Sequence, residues 1–309
     1  MSKINKAVVF PGQGAQRPGM GQDFDQSSDI AKSIFDTASE ATKVDMRELC
    51  FTENEKVNLT EYTQPAILTT EIAMFNTIQS KYNFQPSFFA GHSLGEYAAL
   101  VAADVIDFKD AVQIVRKRGA LMQSAVPEGV GAMAALLFEN IEATSFKAIT
   151  KTAGAEVANY NSSNQVVISG KTAAIETAAK KLQSEYPEMK VIMLAVSAPF
   201  HSSHMSAIES EFKDFLMKYA ANIRLHNSSR VISNFSGSFH TPEKLIENMV
   251  KQISGSVRWT ENMRLMAEKC DTIIEIGPNK VLTKFFSTIG VTVPAIFNEK
   301  SAAKAFENQ

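Results

Sequence analysis

The segment Pro86-Ser87-Phe88-Phe89-Ala90-Gly91-His92-Ser93-Leu94-Gly95-Glu96 decides how this chain is read. Residues 86–90 form a short aromatic run suited to a buried parallel strand, and residues 96–105 carry the apolar spacing of a helix. Between them, Gly91-His92-Ser93-Leu94-Gly95 fits the G-x-S-x-G elbow in the setting of strand, turn and helix that this motif requires. Glycines two places either side of the serine let a strained turn form and lift the hydroxyl clear. The amide of Leu94 is then a candidate oxyanion donor, and the helix that follows points its positive end toward the same charge.

Working outward, residues 6–10 are a second apolar run, stopped by Pro11-Gly12, and read as another buried strand. Helical spacing follows at 30–41 and 67–82. The stretch 131–196 changes character: strand 131–138, helix 141–152, strands 155–160 and 165–170, helix 172–186 and strand 190–196. That order is the ferredoxin-like βαββαβ arrangement. Pro127-Glu128-Gly129 and Ser197-Ala198-Pro199 supply chain breakers on its flanks. Beyond it come a helix at 208–219, a short strand at 231–234, a helix at 242–252 and a strand at 272–276. The fold class is therefore α/β: a hydrolase-like domain with a parallel sheet over 1–128 and 198–309, carrying an inserted ferredoxin-like subdomain over 129–197.

The 309 residues are 45% hydrophobic and 21% charged with a formal net charge of -2, which gives no global attraction to nucleic acid or to a membrane. The start of the chain lacks the apolar core of a signal peptide or a span, so a cytoplasmic location is expected. Cys50 and Cys270 belong to no C-x-x-C pair and read as buried reduced thiols; no metal site is expected.

A serine nucleophile needs a base, and there are five histidines. His92 sits beside Ser93, but neighbouring side chains on a sharp elbow diverge, which suits packing or hydrogen bonding. His226 and His240 lie in polar, loop-like surroundings and read as solvated. His201 and His204 follow Ala198-Pro199, where the chain returns from the insertion, and local sequence favours His201 only slightly. Gly12-Gln13-Gly14-Ala15-Gln16 fails the dinucleotide fingerprint because Arg17 stands at its third glycine. The Gln13 amide is a natural second oxyanion donor, with a plain turn as the alternative. In Arg116-Lys117-Arg118 the i, i+2 spacing turns the two arginines to different sides of a helix, so one can look inward; a buried guanidinium calls for a carboxylate or phosphate.

Taken with 10–14, 63–66, 91–96, 118–122, 199–202, 257–259 and 275–278, these segments resemble the malonyl-CoA:acyl-carrier-protein transacylase family of fatty acid synthesis over residues 10–285. The resemblance implies Ser93 as nucleophile, His201 as base, the Gln13 and Leu94 amides as oxyanion hole, and Arg118 as partner of the malonyl carboxylate. It further implies Met122 and Phe200 in the acyl pocket, the Phe200 ring excluding methylmalonyl, and the main-chain carbonyl of Gln252 orienting the histidine. The substrate would be malonyl-CoA, the partner an acyl carrier protein bearing phosphopantetheine, with no bound cofactor. A stand-alone polyketide acyltransferase shares this chemistry, and a serine thioesterase or hydrolase is a further rival. Basic residues at 116, 117, 280 and 284 are candidates for steering an acidic carrier. Ser256 departs from the usual proline, and Ser203-His204 from the usual Pro-Leu, which puts the loop geometry near the base in question.

Overall fold

The computed structural model describes residues 5–127, 129–196 and 198–307. Glu128 and Ser197, within the two breaker segments, lie outside the described residues. The described strands are β1 (Lys6–Phe10), β2 (Phe88–Gly91), β3 (Gly131–Leu137), β4 (Glu156–Ser162), β5 (Gln165–Lys171), β6 (Lys190–Met193), β7 (Thr272–Ile276) and β8 (Ala295–Ile296). They form two sheets among the described residues.

The first sheet is parallel, in the order β2-β1-β7-β8, with Phe10 in register with Gly91. In β1 the run from Ala7 to Phe10 is apolar and buried because both faces of the sheet are covered. Val8 and Phe10 face the larger core with Ile72, Phe75 and Phe89, whereas Ala7 and Val9 face Trp259, Met263 and Phe286. Each large apolar side chain buried this way contributes about 1.5–3 kcal/mol. The second sheet is antiparallel, in the order β4-β5-β3-β6, the strand order of the ferredoxin-like unit. Ala134, Leu136, Val166 and Ile168 pack under Ile175 and Leu182 of its own helix Thr172–Glu185. Met133, Ala135, Ala158 and Val167 point the other way, into the core shared with the first sheet.

Several elements differ in extent from the sequence reading. The helix expected from 67 begins at Thr60 and carries Pro65 in its second turn, where the ring nitrogen has no N–H to give the Glu61 carbonyl four residues back. The helix expected over 141–152 is a 3₁₀ turn, Ile141–Ala143, and a helix, Phe146–Thr152, divided where Thr144 Oγ1 donates to the Ile141 carbonyl. β6 stops at Met193 because Val196 N–H turns back to the Leu194 carbonyl. Residues 231 and 232 make only single bridges, to Phe89 and Phe239. Cys50 is buried, but Cys270 is half-buried.

The two glycines of the elbow are fixed by close backbone approach. A Cβ on Gly95 would stand 2.2 Å from the Phe10 carbonyl oxygen and 2.5 Å from that of Pro11, and one on Gly91 would meet the Gly95 carbonyl carbon at 1.9 Å. Strand β1 and the elbow helix Gly95–Ala102 therefore interlock without a side chain between them. Gly95→Ala should destabilise the fold by about 3 kcal/mol or more through backbone displacement, read as a loss of melting temperature; an unchanged melt would show that the elbow tolerates separation from β1.

Candidate active site

Ser93 has φ +51, a conformation costing an L-residue on the order of 1–3 kcal/mol, and the surrounding contacts hold it there. Asn234 is the clamp: its Oδ1 accepts from Ser93 N–H at 2.5 Å and its Nδ2 donates to the Gly91 carbonyl at 2.7 Å. One amide thus ties together the residues either side of the turn. Leu94 N–H and Gln13 N–H donate to no acceptor among the described residues, and both residues line the same pocket as Ser93. The Gln13 side chain is held by Thr60 Oγ1 at 3.2 Å.

Of the two candidate bases, the structure brings His201 to the serine and leaves His204 half-exposed on the 3₁₀ turn Ser203–Ile208. His201 Nε2 lies 2.8 Å from Ser93 Oγ, and Nδ1 lies 2.8 Å from the Gln252 carbonyl oxygen. A carbonyl can only accept, so Nδ1 carries the proton and Nε2 presents its lone pair to the serine hydroxyl. His201 also has positive φ, +55, and Ser202 Oγ pins the turn by donating to the Pro199 carbonyl. Burial, and then the nearby Arg118 cation, hold the His201 imidazole down to about 3, so it is neutral in the resting site.

Arg118 is 1% exposed, while Arg116 on the other side of the helix Phe108–Ser124 reaches the Glu61 carboxylate. The split between inward and outward arginines follows from the i, i+2 spacing. Among the described residues Arg118 meets no carboxylate. Its Nη1 donates to Gln64 Oε1 at 2.9 Å, and its Nη2 to Gln252 Oε1 at 3.0 Å and Ser93 Oγ at 3.2 Å. The guanidinium lies over the Tyr97 ring, 5.4 Å from its centroid, and Nε has no acceptor. Burial lowers the arginine's proton affinity from its ordinary value.

Met122 and Phe200 line the same cavity, about 110 Å³ in volume, with Met133, Asn159, Leu194 and Val196 from the inserted sheet and its return. Met122 Sδ accepts from Gln64 Nε2. His92 turns away from the serine hydroxyl; its Nε2 lies 2.8 Å from Asn161 Oδ1 on β4, and its ring meets Trp259 edge-on. Both unusual loop residues are engaged with the same strand. Ser203 N and Oγ donate to the Glu156 carboxylate, and Ser256 Oγ donates to the Val157 carbonyl at 2.6 Å. Arg116 and Lys117 are occupied by Glu61 and Glu211, whereas Lys280 and Lys284 are exposed. No group of three or more His, Cys, Asp or Glu among the described residues is placed to hold a metal ion, and no described helix is long and apolar enough to cross a membrane.

His240 corrects the sequence reading: it is 1% exposed, with Nε2 donating to Glu96 Oε1 at 2.9 Å. Asn234, Glu96 and the side chain of Gln252 were given no role by sequence reasoning. Their only signal is a polar or acidic residue in an otherwise apolar neighbourhood, as with Glu96 on the apolar elbow helix.

An elbow serine, a carbonyl-held neutral imidazole and two unengaged amides form a site for acyl transfer. The sequence matches the acyl transferase domain family over residues 7–292. It is 40% identical over 295 residues to the malonyl CoA-acyl carrier protein transacylase of Staphylococcus aureus (strain MRSA252), covering 94% of this chain and 93% of that protein. The Bacillus subtilis (strain 168) protein of the same name is 42% identical over 291 residues, covering 92% of this chain and 89% of the relative. The crystal structure of malonyl CoA-acyl carrier protein transacylase from Clostridium perfringens superposes with a TM-score of 0.88 at 36% identity, covering 98% and 96% of the two chains. A malonyl-transacylase solved in complex with its type II polyketide acyl carrier protein gives a TM-score of 0.89 at 34% identity, over 99% and 100%. The chain belongs to the acyl transferase family, and it is an acyltransferase.

The neutral, buried His201 has a consequence for stability. Its folded proton affinity lies below the ordinary value of 6.5, so the unfolded chain binds more protons between about 3 and 6.5. This residue's contribution is fully present above pH 6.5 and is lost as pH falls through that window. His201→Gln should flatten the acid side of the stability curve by a few kcal/mol, measured by urea denaturation from pH 7 to 4. Equal slopes for the wild type and His201→Gln would contradict a buried neutral imidazole.

Proposed function

We propose that this acyltransferase carries a malonyl group from coenzyme A to the phosphopantetheine thiol of an acyl carrier protein, for fatty acid synthesis, through a malonyl ester on Ser93. The observation that carries the substrate assignment is Arg118: a buried cation, one hydrogen bond from the nucleophile, with only neutral oxygens around it. A carboxylate entering this pocket gains a paired, charge-assisted contact that an acetyl group does not.

The cycle follows from the geometry. Ser93 Oγ attacks the thioester carbonyl as its proton passes to His201 Nε2, and the new oxyanion is stabilised by the amides of Gln13 and Leu94, worth roughly 3 kcal/mol each. Collapse breaks the carbon–sulfur bond, and His201 returns the proton to the departing sulfur. The carrier thiol then gives its proton to His201 and attacks the malonyl ester; the ester carbon–oxygen bond breaks, and His201 returns the proton to Ser93 Oγ. This is ping-pong acyl transfer. The Arg118 cation is one of the causes that hold His201 low, so a bound malonyl carboxylate offsets that repulsion and makes the imidazole a stronger base. Each proton and charge is handled by a named side chain or amide, so the cycle calls for no resident cofactor, and a coenzyme A thioester with a carrier protein fits a cytoplasmic reaction.

In this reading, residues 129–197 form the inserted subdomain and 1–128 with 198–309 the main domain, so the pocket is walled by Met133 and Asn159 on one side and the elbow on the other. Phe200 lines this cavity beside His201, which supports a role for its ring in excluding a substituent on the malonyl α-carbon. The test is competition among malonyl-CoA, methylmalonyl-CoA and acetyl-CoA. Arg118→Ala should cut malonyl use while sparing acetyl, and Arg118→Lys should also lose malonyl preference, because an ammonium cannot reproduce the fork. Phe200→Ser should admit methylmalonyl by relieving a clash on the order of 1–3 kcal/mol, without admitting acetyl. Full malonyl preference in Arg118→Ala would overturn the substrate assignment.

A further inference from the structure

Beneath the elbow lies a buried carboxylate that the cycle above does not use. Glu96 is 0% exposed, and its two oxygens take three donors: Oε1 from His240 Nε2 at 2.9 Å, Oε2 from Gln252 Nε2 at 2.7 Å and from Asn234 N–H at 2.8 Å. His240 is itself oriented, with Asn248 Nδ2 3.2 Å from its Nδ1. An amide donating to Nδ1 leaves the imidazole proton on Nε2, directed at Glu96.

Gln252 connects this buried unit to the reacting atoms. Its side-chain Nε2 donates to Glu96 and, at 3.1 Å, to the Ser93 carbonyl; its Oε1 accepts from Arg118 Nη2; and its main-chain carbonyl accepts from His201 Nδ1. The orientation of the amide matters. Arg118 has donors only, so the amide must turn its oxygen toward the guanidinium and its nitrogen away. A carboxylate at 96 accepts only and fixes the nitrogen end against itself; a neutral amide there accepts either end. The Glu96 charge also favours the Arg118 cation, acting as its counter-charge at one remove through Gln252. The arrangement leaves the arginine anchored without covering it with a carboxylate.

We propose that Glu96, oriented by His240, is a positioning residue for acyl-group selection: by fixing the Gln252 amide it holds Arg118 ready for a substrate carboxylate. The proposal rests on the malonyl reading above. Asn234 and the interlocked glycines hold Ser93, and a glutamine at 96 keeps an oxygen for the Asn234 N–H, whereas the Glu96 charge acts through the Gln252 amide on Arg118. Loss of the Glu96 charge lets the Gln252 amide turn its nitrogen toward Arg118, donor against donor, and releases one end of the guanidinium.

The test compares wild type and Glu96→Gln for kcat/KM with malonyl-CoA and acetyl-CoA, and for acylation by p-nitrophenyl acetate, a neutral ester that reports Ser93 and His201 alone. Glu96→Gln should lower the malonyl-to-acetyl ratio by about tenfold or more, the effect of losing one hydrogen bond to a charged group, and keep ester acylation within about twofold of wild type. In a Gln252→Ala background the same substitution should lower the ratio no further, because both act through one amide. A parallel fall for all three acyl donors, an unchanged ratio, or additive effects of the two substitutions would each overturn the proposal. If Glu96→Gln does not fold, His240→Gln, which keeps a donor toward Glu96, carries the same comparison with a smaller fall in the ratio expected. A wild-type enzyme with no preference for malonyl over acetyl would instead overturn the malonyl reading itself, and the same assay distinguishes the two failures.

Discussion

Arg118 is the constraint around which the site is built. A guanidinium that is removed from water and not paired with a carboxylate is costly, by several kcal/mol even after neutral hydrogen bonds are made. Here three separate parts of the chain meet that cost: Gln64 from the long helix Thr60–Tyr82, Gln252 from the end of the helix Leu245–Lys251, and the ring of Tyr97 on the elbow helix. Each holds the cation without neutralising it. The folded protein therefore keeps a positive charge next to Ser93 that an anionic acyl group completes.

The same cation acts on the base. With burial as the larger cause, it keeps His201 neutral, which leaves the Nε2 lone pair on the serine hydroxyl at rest and makes the imidazolium costly until a negative charge arrives. Ser93 and His201 both have positive φ, so the proposed nucleophile and base each sit on a strained turn that the surrounding packing imposes. The clamps differ: Asn234 holds the first turn from below, and the Ser202 bond to the Pro199 carbonyl holds the second.

The elbow was legible in sequence because strand, glycines, serine and helix are contiguous; the sterics that demand glycine at 91 act within that span, whereas those at 95 come from the distant carbonyls of Phe10 and Pro11. Arg118 was half legible. Helix geometry turns it inward opposite Arg116, but it is held by two glutamines 54 and 134 residues away, which local sequence does not reveal. His201 rather than His204 faces Ser93, its ring held by a carbonyl 51 residues on, which local sequence does not encode. His240 was misread as solvated because its polar neighbours in sequence are loop residues, while its partner Glu96 is 144 positions distant. The departures at 203 and 256 proved to be contacts with β4, so serines there tie the loop of the base to the inserted sheet.

The central claim is that an acyl group passes through Ser93 to a carrier thiol without release to water. Intact-mass analysis of the protein mixed with malonyl-CoA, and then with carrier protein bearing phosphopantetheine, measures this directly. The account predicts one malonyl adduct, mapped to the Ser93 peptide, that disappears from the enzyme as the same mass appears on the carrier. An adduct on another residue, or one lost as free malonate with no gain of mass on the carrier, would contradict it.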